Sequence, residues 1–587
     1  MLCYFCPLIF SVLSRLQPIY DIAEICAQQG IVNAILCPGS RCAPLTLAFT
    51  LHPKIDTKTV SDERSAAFIG LGVAQQTKLP TVLVCTSGSA AYNFAPAVAE
   101  AFFQQIPLLI ITADRPTEWI DQWDGQTIRQ QNIYGNHAKG FFHLPQEYSH
   151  PDSVWHIQRV VNEAINLSHT FPAGPVHVNV PLREPLYPVA GEKISFSKSI
   201  RVITQESSER NLSVSLVTSL SKQIQKYAKV VVVAGQQDHH PELIKLVEKF
   251  CKAHRAVLVG DVISNFHASE LVVRQSDVFL AQCGESIQKS LAPELLITFG
   301  KSVISKNLKL FLRKNPSAEH WHIQPSGEVP DPFQSLTKVV STEPKAFFET
   351  VLAEKSPDFE TQKKENFTRL WQAEEDRTKR SSETFFKDTI FSEFHVLKEI
   401  VGSLPTRCNI HLANSMAVRY ANMISLATAQ KGIHVFCNRG TSGIDGCTST
   451  AVGHALTSDI PNILITGDMA FFYDRNAFWH NYPLPNLRVV VVNNHGGIIF
   501  NMIDGPATLQ QSAEYFVTHQ KLTAKNLALE FGYEYILLDS EKKLKNSLND
   551  FFEFDGKTKI LEIESSQQIA KEAYTNYKSL IKKGYDT

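Results

Sequence analysis

Short runs of β-branched and apolar residues alternate with longer helix-forming stretches along most of this 587-residue chain, and that alternation constrains its fold more than any other feature. Strands separated by helix-length connections do not pair as tight hairpins. They pair in parallel, each connection crossing one face of the sheet. The runs fall into three groups: 32–37, 81–85, 108–112 and 176–180; then 230–234, 256–259, 295–299 and 320–323; then 409–412, 434–436, 463–466, 488–492, 533–537 and 559–563. A first helix is expected over 17–29. Two seams divide the groups, a Pro-bearing stretch at 181–193 and a charged one at 354–387, whose mixed signs predict a solvated helix or linker. The fold class that follows is α/β, with three doubly wound parallel-sheet domains over 1–190, 191–385 and 386–587.

Composition narrows the function classes. Formal net charge is −1, so no global field draws in nucleic acid or a membrane surface, and any anion site must come from local clustering. No basic stripe with interleaved aromatics supports a nucleic-acid partner. Residues 1–13 are apolar but lack a basic start and a small-residue cleavage site, and no run reaches the roughly 18 residues of a membrane span. The 11 cysteines are scattered; Cys3 and Cys6 form a CxxC with no second pair to complete a zinc site. A reduced, cytoplasmic setting is expected.

In open parallel sheets, ligands lie beyond the carboxyl ends of the strands, so the residues there carry the functional argument. Gly467-Asp468 follows one strand of the third group and Asn493-Asn494-His495-Gly496-Gly497 follows the next. Asp468 and Asn494 are thus one strand–helix–strand unit apart, and both offer hard oxygen donors suited to Mg²⁺. One carboxylate and one amide do not complete an octahedral site; water and a diphosphate ordinarily supply the rest, and N–H groups of the following helix start favour the same anion. In the first group, Glu63 opens a helical pattern, where a carboxylate is also favoured by the helix dipole.

The Asp468 and Asn494 segments resemble the diphosphate-and-metal signature of thiamine-diphosphate-dependent enzymes, with Met469 where a third glycine is usual. Further segments narrow the resemblance: Cys37-Pro38-Gly39-Ser40-Arg41-Cys42-Ala43-Pro44-Leu45, Thr86-Ser87-Gly88-Ser89-Ala90, Thr112-Ala113-Asp114-Arg115-Pro116, Gly125-Gln126-Thr127-Ile128-Arg129-Gln130, Asn414-Ser415-Met416-Ala417-Val418-Arg419, Asn438-Arg439-Gly440-Thr441-Ser442-Gly443-Ile444-Asp445-Gly446 and Asn494-His495-Gly496-Gly497-Ile498-Ile499-Phe500. From about Gln17 onward the chain resembles the 2-succinyl-5-enolpyruvyl-6-hydroxy-3-cyclohexene-1-carboxylate synthase family of menaquinone biosynthesis.

That resemblance implies a transferase that decarboxylates 2-oxoglutarate and adds the succinic-semialdehyde unit to isochorismate. It implies thiamine diphosphate held by Glu63, Gly88, Ser415, Ile444, Gly467, Asp468 and Asn494, with Ile444 as an apolar wedge under the cofactor. Mg²⁺, with Mn²⁺ as a substitute, would bind Asp468, Asn494 and Gly496. Glu63, Gln126, Arg419 and Arg439 would act in catalysis, Glu63 holding a proton against the cofactor's pyrimidine ring. Ser40, Arg41, Arg115 and Lys306 would hold isochorismate, and Gln126, Ser415, Arg419 and Arg439 the 2-oxoglutarate-derived adduct, with Ile499 and Phe500 lining the pocket. Asn307 stands where some members carry a second basic residue. The cofactor would bridge the first and third domains across a subunit interface, in a homodimer or dimer of dimers.

Two rival readings stay open at this level. Another thiamine-diphosphate enzyme, acetolactate synthase-like or a simple 2-oxo acid decarboxylase, would share Glu63, Asp468 and Asn494. It would not call for Arg41, Arg115, Arg419 and Arg439 together, because guanidinium groups are natural partners for the carboxylates of polyanionic substrates. A non-catalytic assembly protein would not need Glu63, Asp468 and Asn494 together.

Overall fold

The computed structural model describes residues 15–189, 192–206, 211–354, 361–387, 390–502 and 505–585; the apolar start with its Cys3-x-x-Cys6 motif lies outside the described residues. It contains three six-stranded sheets, all of whose strand pairs are parallel.

From edge to edge the first sheet runs Asp56–Thr59 (β2), Asn33–Leu36 (β1), Thr81–Cys85 (β3), Leu108–Asp114 (β4), Pro175–Pro181 (β6) and Phe141–His143 (β5). The second runs Lys338–Ser341 (β12), Glu319–Gln324 (β11), Leu295–Phe299 (β10), Val230–Ala234 (β7), Val257–Gly260 (β8) and Val272–Val273 (β9). The third runs Gly432–Phe436 (β14), Arg407–Leu412 (β13), Asn462–Gly467 (β15), Leu487–Asn493 (β16), Lys559–Glu564 (β18) and Glu534–Leu538 (β17). Strand order reverses between β1 and β3, between β7 and β10, and between β13 and β15. Crevices for ligands open at such switch points, above the strand ends.

The central strands are buried along most of their length, as continuous apolar runs such as Val230–Ala234 require when helices cover both faces. Four short strands were not expected from the sequence: β2, β5, β9 and β12. All four are sheet edges. Asp-Thr-Lys-Thr in β2 is largely solvated, so its pairing with β1 comes from backbone rather than from an apolar pattern.

The chain divides into two compact units, 1–206 and 207–587. In the first, the segment after β6 folds back on its own core: Ile194, Phe196 and Ile200 pack there, and Asn162 Nδ2 donates to Arg201 O at 2.9 Å. In the second, the charged seam forms the helix Thr361–Phe385. It is not merely solvated. Trp371 is fully buried in the core of the second sheet, and its indole N–H donates to Leu291 O at 3.1 Å. One apolar residue per few turns is enough to dock a helix whose other faces are charged, which is why net polarity misleads there. Among the described residues no helix is long and apolar enough to cross a membrane.

Candidate active site

In the first unit the switch point is built by close backbone approach. A Cβ on Gly39, just after β1, would meet Thr86, just after β3, at 2.3 Å. Gly88 takes φ +93°, and a Cβ there would press on the Gln126 backbone at 3.2 Å, so only glycine lets these loops touch. The Gly88 N–H donates to Gln130 Oε1 at 2.9 Å. Gln130 is fully buried and spends its own N–H groups on Ala113 O and Asn179 Oδ1, both at 3.0 Å. Beside this loop the buried hydroxyls of Thr86 and Ser87 have no partner among the described residues, as donors waiting on a ligand would.

The predicted residues of this unit surround that loop. Gln126 is exposed, in the left-handed region at φ +55°. Ser40 is exposed and shares a hydrogen bond with the Tyr187 hydroxyl at 3.1 Å. Arg41 is buried, donating to Leu182 O at 2.9 Å and pairing with the exposed Glu184 at 3.3 Å. Arg115 donates to Gly125 O at 2.9 Å, and its buried Nε lies 3.4 Å from Asp124 Oδ2, an ion pair outside hydrogen-bond geometry. Glu63 is half-buried at the first position of the helix Glu63–Thr77, capped by Asp62, whose side chain accepts from the Arg64 and Ser65 N–H groups.

In the second unit, Gly467 ends β15 and Asp468 begins the helix Asp468–Tyr473. Met469 is therefore helical, a conformation that needs no glycine. Asp468 is 2% exposed; burial raises its pKa, opposed by hydrogen bonds from Gln520 Nε2, at 2.7 Å, and from the Met469 and Gly496 N–H groups. Gly496 is thereby brought against Asp468 by the loop after β16. Asn494 follows β16 and is also buried; its Nδ2 donates to Glu393 Oε2 at 3.0 Å, while its Oδ1 has no partner among the described residues. A buried carboxylate and an orphaned amide oxygen, beside the Gly496 backbone, could supply hard-oxygen donors of the kind a Mg²⁺–diphosphate group takes.

On the other side of the switch point, Ser415 follows β13 with φ +73° and starts the helix Met416–Ile424. Asn414 ties three loops together: Nδ2 donates to Asn438 O and Gly443 O, both at 2.7 Å, and Oδ1 accepts from Arg439 Nη1 at 2.9 Å. Arg419 Nη1 donates to Ser415 O at 2.6 Å. The Arg419 pKa is lowered by burial and by the neighbouring Arg439 charge, and the buried Arg439 Nε has no hydrogen-bond partner among the described residues. Two neighbouring guanidinium groups, one with a buried unused donor, could together take an anionic ligand. Ile444 and Ile499 are half-buried against the core of the third sheet, and the Phe500 ring meets Phe516 at 5.8 Å.

The middle sheet buttresses this face. Gln236 Nε2 donates to Cys437 O at 2.8 Å, and Asn265 exchanges two hydrogen bonds with the Val435 backbone. Lys306 is exposed at the start of the helix Lys306–Lys314, and Asn307 Nδ2 donates to Asp277 at 2.9 and 3.1 Å rather than standing free. Sequence reasoning passed over Gln130, Glu393, Asn414 and Gln520. Asn414 and Gln130 at least lay inside motifs; Glu393 and Gln520, whose partners Asn494 and Asp468 lie 101 and 52 residues away, leave no local signal.

The chain is similar to known proteins along most of its length. Residues 20–133 match the thiamine pyrophosphate enzyme, N-terminal TPP binding domain, and residues 204–412 match the middle domain of thiamine pyrophosphate. A 2-succinyl-5-enolpyruvyl-6-hydroxy-3-cyclohexene-1-carboxylate synthase of Cytophaga hutchinsonii is 45% identical over 97% of this chain and 100% of its own length. Proteins of the same name from Flavobacterium johnsoniae and Bacteroides thetaiotaomicron are 38% and 36% identical, over 92% and 91% of this chain and 95% and 92% of theirs.

Proposed function

Because the chain belongs to the 2-succinyl-5-enolpyruvyl-6-hydroxy-3-cyclohexene-1-carboxylate synthase family, we propose that it decarboxylates 2-oxoglutarate and adds the resulting succinic-semialdehyde unit to isochorismate, as a step of menaquinone biosynthesis. Thiamine diphosphate, when bound, supplies the carbanion-stabilising chemistry that loss of CO₂ from a 2-oxo acid demands. Asp468, Asn494 Oδ1 and the Gly496 backbone would hold its Mg²⁺ or Mn²⁺. Gly88, Gly467, Ser415 and Ile444 would shape its seat, and Glu63 would keep a proton facing its pyrimidine ring.

The observation that carries this reading is the crowded pair Arg419 and Arg439 on the same sheet edge as the Asp468–Asn494 donors. A monocarboxylate would leave one guanidinium group uncompensated, whereas 2-oxoglutarate offers two carboxylates. Arg419 and Arg439, with Ser415 and Gln126, would orient the first substrate. Ser40, Arg41, Arg115 and Lys306 would take isochorismate, and Ile499 and Phe500 would exclude water. The enzyme would work in the cytoplasm, as a homodimer or dimer of dimers. The test is to mix protein, Mg²⁺, thiamine diphosphate, 2-oxoglutarate and isochorismate and to seek the condensed product by mass spectrometry. If pyruvate serves as well as 2-oxoglutarate, an acetolactate synthase-like activity is the better reading.

A further inference from the structure

An asparagine amide can turn either end toward a metal, and the two ends are nearly equal in size. Only the oxygen ligates, so something must choose the orientation. At Asn494 the choice is made by Glu393. This residue is fully buried at the first turn of the helix Glu393–Gly402, behind the capping Ser392. One carboxylate oxygen accepts from the Tyr420 hydroxyl at 2.8 Å, and the other accepts from Asn494 Nδ2 at 3.0 Å. Turning the amide over would set Oδ1 against a carboxylate oxygen and would leave the NH₂ facing the Asp468 side. Nδ2 is satisfied by Glu393, and Oδ1 has no hydrogen-bond partner among the described residues, in a residue only 5% exposed.

We propose that Glu393 is a positioning residue whose carboxylate locks the Asn494 amide with Oδ1 presented to a divalent cation beside Asp468. Tyr420 in turn holds the carboxylate, so the helix Met416–Ile424, which also carries Arg419, is linked to the metal ligand through a single side chain. This proposal rests on the reading of Asp468 and Asn494 as metal ligands.

The test measures Mn²⁺ affinity of the full-length protein by electron paramagnetic resonance of free Mn²⁺, with thiamine diphosphate in excess, and the melting temperature of each variant alongside. Glu393→Leu should weaken Mn²⁺ binding by about 10–100-fold, the usual effect of removing a residue that orients a metal ligand. Glu393→Gln, whose side-chain oxygen can still accept from Asn494, should retain most of the affinity. A charge exchange guards against simple loss of folding. Asn494→Asp sets two carboxylates face to face and should weaken Mn²⁺ binding although it adds a charged ligand. Combining it with Glu393→Gln gives the new carboxylate a donor and should recover the affinity, a non-additive result that a merely structural role does not produce. The proposal is overturned if folded Glu393→Leu binds Mn²⁺ like the parent, or if Asn494→Asp binds equally well with and without Glu393→Gln. Asp468→Ala separates the two levels: if it too binds Mn²⁺ like the parent, the metal-site reading itself fails.

Discussion

At the scale of single residues, Asp468 and Asn494 differ in what they can lose. Asp468 is a buried charged donor on a helix start, and Asn494 a neutral one. Asp468→Ala should abolish tight thiamine diphosphate binding if, as proposed, the diphosphate is held largely through a metal on Asp468, and Asn494→Ala should weaken binding less. Chelating the metal should reproduce the Asp468→Ala effect in the parent. Calorimetric titration of the cofactor checks all three, and unchanged binding in both variants would misplace the site. Glu63 calls for a different readout. Glu63→Gln keeps the shape of a half-buried helix-start residue and should leave cofactor binding intact. Exchange of the bound cofactor's C2 proton should slow by about 10²–10⁴, the range for a positioned acid–base group. Unchanged exchange in NMR would remove Glu63 from the chemistry.

At the scale of elements, the arginines sort by the sheet that carries them. Arg41 and Arg115 follow β1 and β4; Arg439 follows β14, and Arg419 lies on the helix after β13. Removing one charged partner of a desolvated pair costs about 2–5 kcal/mol, or roughly 30- to several-thousand-fold in affinity. Arg419→Ala and Arg439→Ala should therefore impair decarboxylation of 2-oxoglutarate itself. Arg41→Ala and Arg115→Ala should chiefly raise the KM for isochorismate and leave CO₂ release without isochorismate nearly intact. Following CO₂ with and without the second substrate separates these cases, and one shared pattern for Arg41→Ala and Arg419→Ala would defeat the assignment. The elements also show where local pattern suffices. Central strands such as Thr81–Cys85 and Val230–Ala234 announce themselves because both faces are buried and nearly every position is apolar. Edge strands such as β2 and β5 are half-solvated, so their residues obey no apolar rule and their pairing is settled by the neighbouring backbone.

At the scale of the whole molecule, the residues proposed to serve one cofactor are divided between two compact units, Glu63 in 1–206 and Asp468 and Asn494 in 207–587. Family membership leads to the expectation that each site is completed by a second copy, through the two-fold arrangement commonest among closed oligomers. Light scattering at assay concentration should give at least twice the 65.7 kDa of one chain. A fully active monomer would contradict it.

The sequence by itself determined the three parallel sheets, their central strands and the candidate donors at the strand ends. Periodicity and turn chemistry are local properties, and a strand end is where a parallel sheet must place its ligands. It also pointed to Arg419, on the helix after β13, and to Arg439, in the loop after β14. What only the tertiary structure decided is how those donors are aimed. The orphaned oxygen of Asn494 depends on Glu393, 101 residues away; the Gly88 loop depends on Gln130; and the three loops tied by Asn414 meet only once β13, β14 and the Gly443 turn are assembled. The docking of the helix Thr361–Phe385 through Trp371 was hidden for the same reason. A buried hydrogen bond is specified by which groups lose water together, and that is a property of the packed chain, not of any stretch of it.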